Sequence, residues 1–210
     1  MTIPKKARVV FDGSILRVYS WKQRLFYGSY TTFERVIKTD GVVVLATTGS
    51  GKVIMIRERQ PMKKLNVGMI GGMVERGERP IDAVKRELLE ETGYTSDDIE
   101  LLKVYHPATQ MVYYSTYFVV ARGCRKVQEQ RLDAGERITV SEVSFSDFMK
   151  ALGKHAVNQS GIAMEMYYAA KLNEAALRSK IFGHSSTNPL KTDARELSKA
   201  KRMFYRPTQR

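Results

Sequence analysis

The chain has 210 residues, of which 43% are hydrophobic and 27% charged, the balance of an ordinary globular protein. That length suits one packed domain with a small extra subdomain. No run approaches the ~18 apolar residues that span a bilayer, and the single cysteine, Cys124, rules out an intrachain disulfide. Membrane-spanning, collagen-like and disulfide-scaffold classes are excluded.

MTIPKKARVVFDG at the start has no long apolar stretch, so no signal peptide is expected. Together with the lone cysteine this suits a reducing compartment, the cytoplasm. The net charge of +13 is uneven: residues 1–70 carry +9, residues 71–150 carry −3 and residues 151–210 carry +7. An acidic middle in a basic chain suggests a divalent-metal site facing an anionic ligand. The basic flanks would suit small phosphates, nucleic acid or an anionic surface.

In chain order, Arg8–Phe11 and Ile15–Tyr19 flank Asp12-Gly13 and predict a hairpin. Tyr30–Val36 is rich in β-branched and aromatic residues, another strand. Val42–Ala46 and Val53–Ile56 flank TTGSGK, a turn. It is not a phosphate loop, because Ala46 stands where that motif needs glycine and Val53 where it needs Ser or Thr. Residues 68–77, GMIGGMVERG, read as a glycine-rich loop. Pro80 opens a helix that runs to Thr92, and Gly93 stops it.

Further strands are expected at Leu101–Tyr105, Tyr113–Ala121 and Ile138–Val143. Ser144 and Asp147 form a capping-box-like S-x-x-D before a helix to Leu152. A longer helix follows over Gly161–Phe182, with Ile162, Met166, Ala169 and Ala170 on one stripe and Gly183 at its end. From His184 the chain is polar and basic.

On the helix from Pro80, Glu87, Glu90 and Glu91 stand at i, i+3 and i+4, so they share one face. Ile81, Val84 and Leu88 form the adjoining apolar face. Three crowded carboxylates repel one another by a few tenths of a kcal/mol per pair. Hard divalent cations such as Mg²⁺ take such oxygens and leave positions for water and substrate phosphate. Arg86 can orient a carboxylate through a bidentate contact. A plain solvated acidic face is the competing reading of these residues alone.

The wider spacing decides between the two readings. Gly72, Glu78, Arg86-Glu87-Leu88, Glu90-Glu91 and Gly93-Tyr94 follow G-x5-E-x7-R-E-U-x-E-E-x-G-U, where U is apolar. This resembles the Nudix box at every position. A chance match is rarer than roughly one in a million.

That resemblance implies a Nudix α/β/α sandwich around a mixed sheet, with hydrolysis of a nucleoside diphosphate linked to another moiety. It implies Mg²⁺, or Mn²⁺, held by Glu87, Glu90 and Glu91, one of which activates water, with the carbonyl of Gly71 beside them. Arg86 would orient the carboxylates and Glu78 would brace the loop. Which glutamate is the general base stays open.

The rest of the chain resembles the ADP-ribose/ADP-sugar pyrophosphatase branch. Residues 8–36 are similar to its N-terminal antiparallel subdomain and residues 53–61, VIMIRERQP, to a core strand. Pro107 is similar to its loop proline, and residues 134–170 to its last strand and helix. The resemblance implies residues 1–38 as a β subdomain that pairs two copies into a homodimer. Residues 39–183 would be the hydrolase domain and 184–210 a basic tail. Arg57 and Arg59 would contact phosphates, and Trp21 would stack on a nucleobase or pack in the subdomain. Asp133 or Glu136 would supply a late catalytic carboxylate. Two departures bear on the substrate: Gly68-Met69-Ile70-Gly71-Gly72 replaces Glu-x-Pro-Ala-Gly, and Tyr114 stands where an acid is usual. His106, His155 and His184 have no metal-ligand spacing.

The expected activity is thus Mg²⁺-dependent hydrolysis of a small nucleotide sugar, ADP-ribose first, with no membrane partner. Two alternatives remain: an RNA 5′-end pyrophosphohydrolase of decapping type, or a binding module for nucleotide or RNA that no longer catalyses.

Overall fold

The computed structural model describes residues 3–106, 111–153 and 160–183. Pro107, His155, His184 and the basic tail lie outside the described residues.

Strands β1 (Arg8–Asp12), β2 (Leu16–Arg24) and β3 (Tyr30–Lys38) make an antiparallel meander. The first turn closes with the Gly13 N–H donating to the Leu16 carbonyl at 3.0 Å. A short strand from far along the chain, β10 (Val112–Tyr113), adds in parallel to β3. The N-terminal sheet therefore includes residues from outside 1–38. Between them the sequence expected one strand over Tyr113–Ala121. The structure divides it, and β11 (Thr116–Lys126) enters the other sheet. The break at Tyr114-Ser115 is fixed by Asp40, whose carboxylate accepts the Ser115 N–H at 2.6 Å.

The larger, eight-stranded sheet is built around β4 (Gly41–Thr48). It pairs in parallel with β11 and antiparallel with β5 (Val53–Arg59) and β7 (Ile70–Met73). β5 continues to β6 (Asn66–Gly68) and to β12 (Arg137–Val143). β11 carries β8 (Tyr94–Thr95) and β9 (Asp98–Tyr105). The glycine-rich segment 68–77, expected as loop, thus contributes β7 and the last residue of β6. Glycine has little strand propensity, and pairing with β4 and β5 overrides it.

β4 reads GVVVLATT, apolar without alternation, because both its faces are covered. Val42, Val44 and Ala46 pack with Ile81, Val84 and Leu88 of α1 (Pro80–Thr92). Val43 and Leu45 pack on the other side with Phe148 of α2 (Phe145–Gly153) and with Met166 and Ile181 of α3 (Ser160–Phe182). Helices on both faces of a mixed sheet make an α/β/α sandwich. At the start of α2, the Ser144 hydroxyl accepts the Asp147 N–H at 3.1 Å.

α3 is not one straight helix. Asn173 has φ −159° and ψ 89°, and its Oδ1 accepts the Ala176 N–H at 2.9 Å. It acts as an internal N-cap that restarts the helix. The end of α3 is held by Arg122, whose Nε and Nη2 donate to the Lys180 carbonyl at 3.0 and 2.6 Å.

Candidate active site

α1 begins at Pro80, where a missing N–H costs nothing, and ends at Gly93 in the left-handed region with φ 76°. A Cβ at Gly93 would lie 2.1 Å from the Gln128 carbonyl oxygen. The last carbonyls of a helix need outside donors, and the β11–β12 connection supplies them. The Val127 N–H donates to Gly93 and the Arg131 N–H to Glu90, at 2.9 and 2.8 Å. The Gln130 side chain reaches the Glu91 carbonyl.

This seats α1 against β7 with its acidic face over a cleft of ≈ 700 Å³. Glu87, Glu90 and Glu91 line it, beside Gly71 and Gly72 of β7. Glu91 is only 5% exposed, and its Oε2 accepts the Gly71 N–H at 3.1 Å. It is thus the amide of Gly71 that meets this carboxylate. Burial pushes the Glu91 carboxyl up to about 9, the Gly71 bond opposes the rise, and nearby Glu87, Glu58 and Glu136 add to it. Burial also raises Glu87, against the pull of Arg86.

Arg86 spends all five of its N–H groups on this assembly. Nε and Nη2 grip the two oxygens of Glu78 at 3.0 Å each. Nη1 reaches Glu87 at 2.8 Å and Glu90 at 3.2 Å, and Nη2 also reaches the Met73 carbonyl at 2.9 Å. Glu78 in turn accepts the Glu75 N–H at 2.8 Å. Loop, strand and helix are thus tied through one guanidinium.

The facing wall comes from β5, β6 and the β11–β12 connection: Glu58, Gln60, Asn66, Asp133 and Glu136. Lys63 and Arg131 add positive charge, and Ile15 and Lys38 of the N-terminal sheet close one rim. The structure therefore brings Glu87, Glu90, Glu91, Arg86, Gly71, Gly72, Asp133 and Glu136 to one cleft, with Glu78 behind Arg86 and Gly93 at the helix end.

Arg57 and Arg59 do not line this cleft. Strand residues alternate between faces, and on β5 it is Glu58 that faces α1 and its acids. Arg59, opposite Arg137, borders an adjoining hollow that shares Gln60, Pro61, Gly135 and Glu136 with the cleft. Trp21 is also elsewhere. It is 7% exposed, its ring lies 5.9 Å from that of Phe33, and its indole N–H donates to Gln23 at 3.1 Å.

Sequence reasoning missed Glu58, Gln60, Asn66 and Lys38. In R-E-R-Q every residue is polar, so the alternation that phases a strand carries no signal there.

Among the described residues the carboxylates do not close a coordination shell by themselves. Arg86 stands between Glu87 and Glu90 instead. The donor set nevertheless fits a hard cation: three carboxylates on one helix, one of them buried with its carboxyl raised first by that burial.

The NUDIX domain family matches residues 37–163. The chain belongs to the Nudix family. This Nudix protein is 30% identical over 173 residues to "ADP-ribose pyrophosphatase" of Bacillus subtilis (strain 168), covering 81% of this chain and 93% of the relative. It is 26% identical over 172 residues to "Methanol dehydrogenase activator" of Bacillus methanolicus, covering 81% and 92%. Among solved structures it is similar to an "ADP compounds hydrolase", with a TM-score of 0.66 at 20% identity, over 83% of this chain and 95% of that one. That last likeness carries the fold. The family and the Bacillus subtilis relative make the chain a Nudix pyrophosphohydrolase, and Nudix hydrolases generally use a divalent metal.

Proposed function

We propose that the protein hydrolyses the pyrophosphate bond of a nucleoside diphosphate sugar with Mg²⁺, or with Mn²⁺ in its place. ADP-ribose is the first substrate, giving AMP and ribose 5-phosphate. The observation that carries this reading is the set of Glu87, Glu90 and Glu91 on one cleft wall, the first two held by Arg86 and the third by the Gly71 amide, in a chain 30% identical to an ADP-ribose pyrophosphatase.

Glu87, Glu90 and Glu91 would hold the cation. When bound, it neutralises phosphate charge and makes a bound water more acidic. The chain supplies the rest. Arg86 keeps the carboxylates of Glu87 and Glu90 turned toward the cleft. Lys38, Lys63 and Arg131 offset the charge of the two phosphates. Glu136, on the wall facing α1, takes the proton of the attacking water as its oxygen bonds to phosphorus. The P–O bond of the bridge breaks, and the bridging oxygen leaves with the other monophosphate.

The partners in this reading are the nucleotide and a second copy of the chain. Val9 and Phe11 of β1 and Phe26 and Tyr27 of the β2–β3 turn are exposed, and exposed apolar side chains of that kind support pairing into a homodimer. Phe26→Ser with Tyr27→Ser would then lower the mass seen by light scattering. The buried free Cys124 accords with a cytoplasmic setting, and no helix among the described residues is long and apolar enough to cross a membrane.

The deciding assay measures AMP release from ADP-ribose with Mg²⁺, with Mn²⁺ and with chelator, beside GDP-mannose, UDP-glucose, NADH and 5′-triphosphorylated RNA. The expected result is metal-dependent turnover of ADP-ribose that Glu90→Gln removes. Turnover of RNA alone, falling steeply with salt, would transfer the site to RNA ends. No turnover of any substrate would favour a binding module.

A further inference from the structure

The side chain of Gln60 stands between two carboxylates from different parts of the chain. Its Nε2 donates to Glu58 Oε1, two residues back at the end of β5, and to Glu136 Oε1 on the β11–β12 connection at 3.1 Å. Its carbonyl oxygen is taken by the Lys63 ammonium. That contact fixes which way the amide points, because only the oxygen can accept from Lys63. The second oxygen of Glu58 accepts from Asn66 Nδ2 at 3.0 Å. Lys63, Gln60, Glu58 and Asn66 thus form one chain of bonds across the β5–β6 turn, and Glu136 hangs from its middle.

A second contact docks the same loop. Gly135, at φ 96°, lies on the ring of Pro61, where a Cβ would sit 3.5 Å from Cδ. The loop's other end is fastened to α1 through Arg131 and Glu90. Gln60 and Pro61 therefore hold the Glu136 end of a segment whose start is held by the helix of Glu87, Glu90 and Glu91.

Without the amide, Glu58 and Glu136 would meet as two like charges, and Glu136 would swing away into the open cleft. A neutral group with two N–H donors is what this point needs. A carboxylate at position 60 would add a third charge, and an aliphatic side chain would leave both acids unserved.

We propose that Gln60 is a positioning residue for hydrolysis: it acts through Glu136, holding that carboxylate where it meets the attacking water. This rests on the hydrolase reading above and on Glu136 as the proton acceptor. The reaction is unchanged by Gln60 itself, which neither gains nor loses a proton or a bond to substrate.

The test is a double-mutant cycle on the full chain with ADP-ribose, using Gln60→Ala, Glu136→Ala and the double variant. Loss of a general base costs on the order of 10²–10⁴ in kcat, and Gln60→Ala is expected to lower kcat by about 10- to 100-fold through a misplaced base, with KM nearly unchanged. In the Glu136→Ala background, Gln60→Ala should then change kcat less than about 3-fold, because its target is gone. Gln60→Glu should fail to restore the rate. Losses that multiply in the double variant, or a Gln60→Ala enzyme with normal kcat, would overturn the proposal. So would full turnover by Glu136→Ala, although a dead Glu87→Gln would still uphold the hydrolase. A second readout needs no turnover: the Gln60 side-chain amide should show hydrogen-exchange protection by NMR, reduced in Glu136→Ala. Fast exchange in the wild-type protein would refute the clamp even if ADP-ribose is not the substrate.

Discussion

The carboxylate of Glu87 rests on the backbone of Gly72: a Cβ at that glycine would meet Glu87 Oε1 at 2.0 Å and Cδ at 2.3 Å. The strand β7 and the helix α1 approach this closely only because position 72 has no side chain. Glu87 cannot retreat freely, since Arg86 holds it at 2.8 Å. Gly72→Ala is therefore expected to fold, keep its circular dichroism, and lose about 10²-fold in kcat through a displaced carboxylate. Steady-state kinetics with ADP-ribose checks it, and a wild-type kcat would show that Glu87 has room to yield.

Glu78 touches no cleft surface, yet it occupies two of the five donors of Arg86. Glu78→Gln removes one charged acceptor from a pair that is 25% and 15% exposed. The expected cost is about 2 kcal/mol, within the range for a hydrogen bond to a charged group, read as a shift of the urea midpoint. Activity should fall as well, because Glu87 and Glu90 are ordered by the same guanidinium.

Glu91 makes stability depend on pH in an unusual direction. Its carboxyl is raised from 4.5 to about 9 in the folded chain, first by burial. A raised carboxyl binds its proton more tightly when folded. Its contribution is fully present below about 4.5 and is lost as pH rises toward about 9. In chelator, the melting temperature is expected to decline across that window, and Glu91→Gln should flatten the decline. An excess of Mg²⁺ should oppose the decline at high pH, where the charged carboxylate gains a partner. Melting temperatures that rise with pH in chelator would contradict the placement of Glu91.

Arg122 predicts a separation of stability from activity. It is 11% exposed and joins Asp98 at 3.0 Å, Glu100 at 2.7 Å and the Lys180 carbonyl. Lys180 also reaches Glu100. Arg122→Ala leaves the end of α3 uncapped and Glu100 without one of its two cations. A loss of about 2–3 kcal/mol is expected. Since this network lies across the sheet from α1, kcat should change less than about 3-fold. A comparable loss of kcat would mean that α3 shapes the cleft.

Local spacing was enough to read one wall of the site from the chain. Glu87, Glu90 and Glu91 share a face because helix geometry repeats every few residues, and Gly93 ends that helix because it must turn left-handed. Gly72, Glu78 and Arg86 were legible through their match to the Nudix box. The strand at Val42–Ala46 was legible as well, but the helices on both faces of its sheet were expected only through the Nudix resemblance, and their packing on β4 is seen in the fold.

The opposite wall was decided only by tertiary pairing. Whether Arg57 and Arg59 or Glu58 and Gln60 face the cleft depends on the phase of β5. That phase is set by its register with β4, β6 and β12, not by any preference within R-E-R-Q. β7 forms from a glycine-rich segment because β4 offers hydrogen-bond partners there. Asp133 and Glu136 reach the cleft because the β11–β12 connection serves the last carbonyls of α1. Each of these choices satisfies backbone groups or charges contributed by distant residues, so no local window of the sequence contains it.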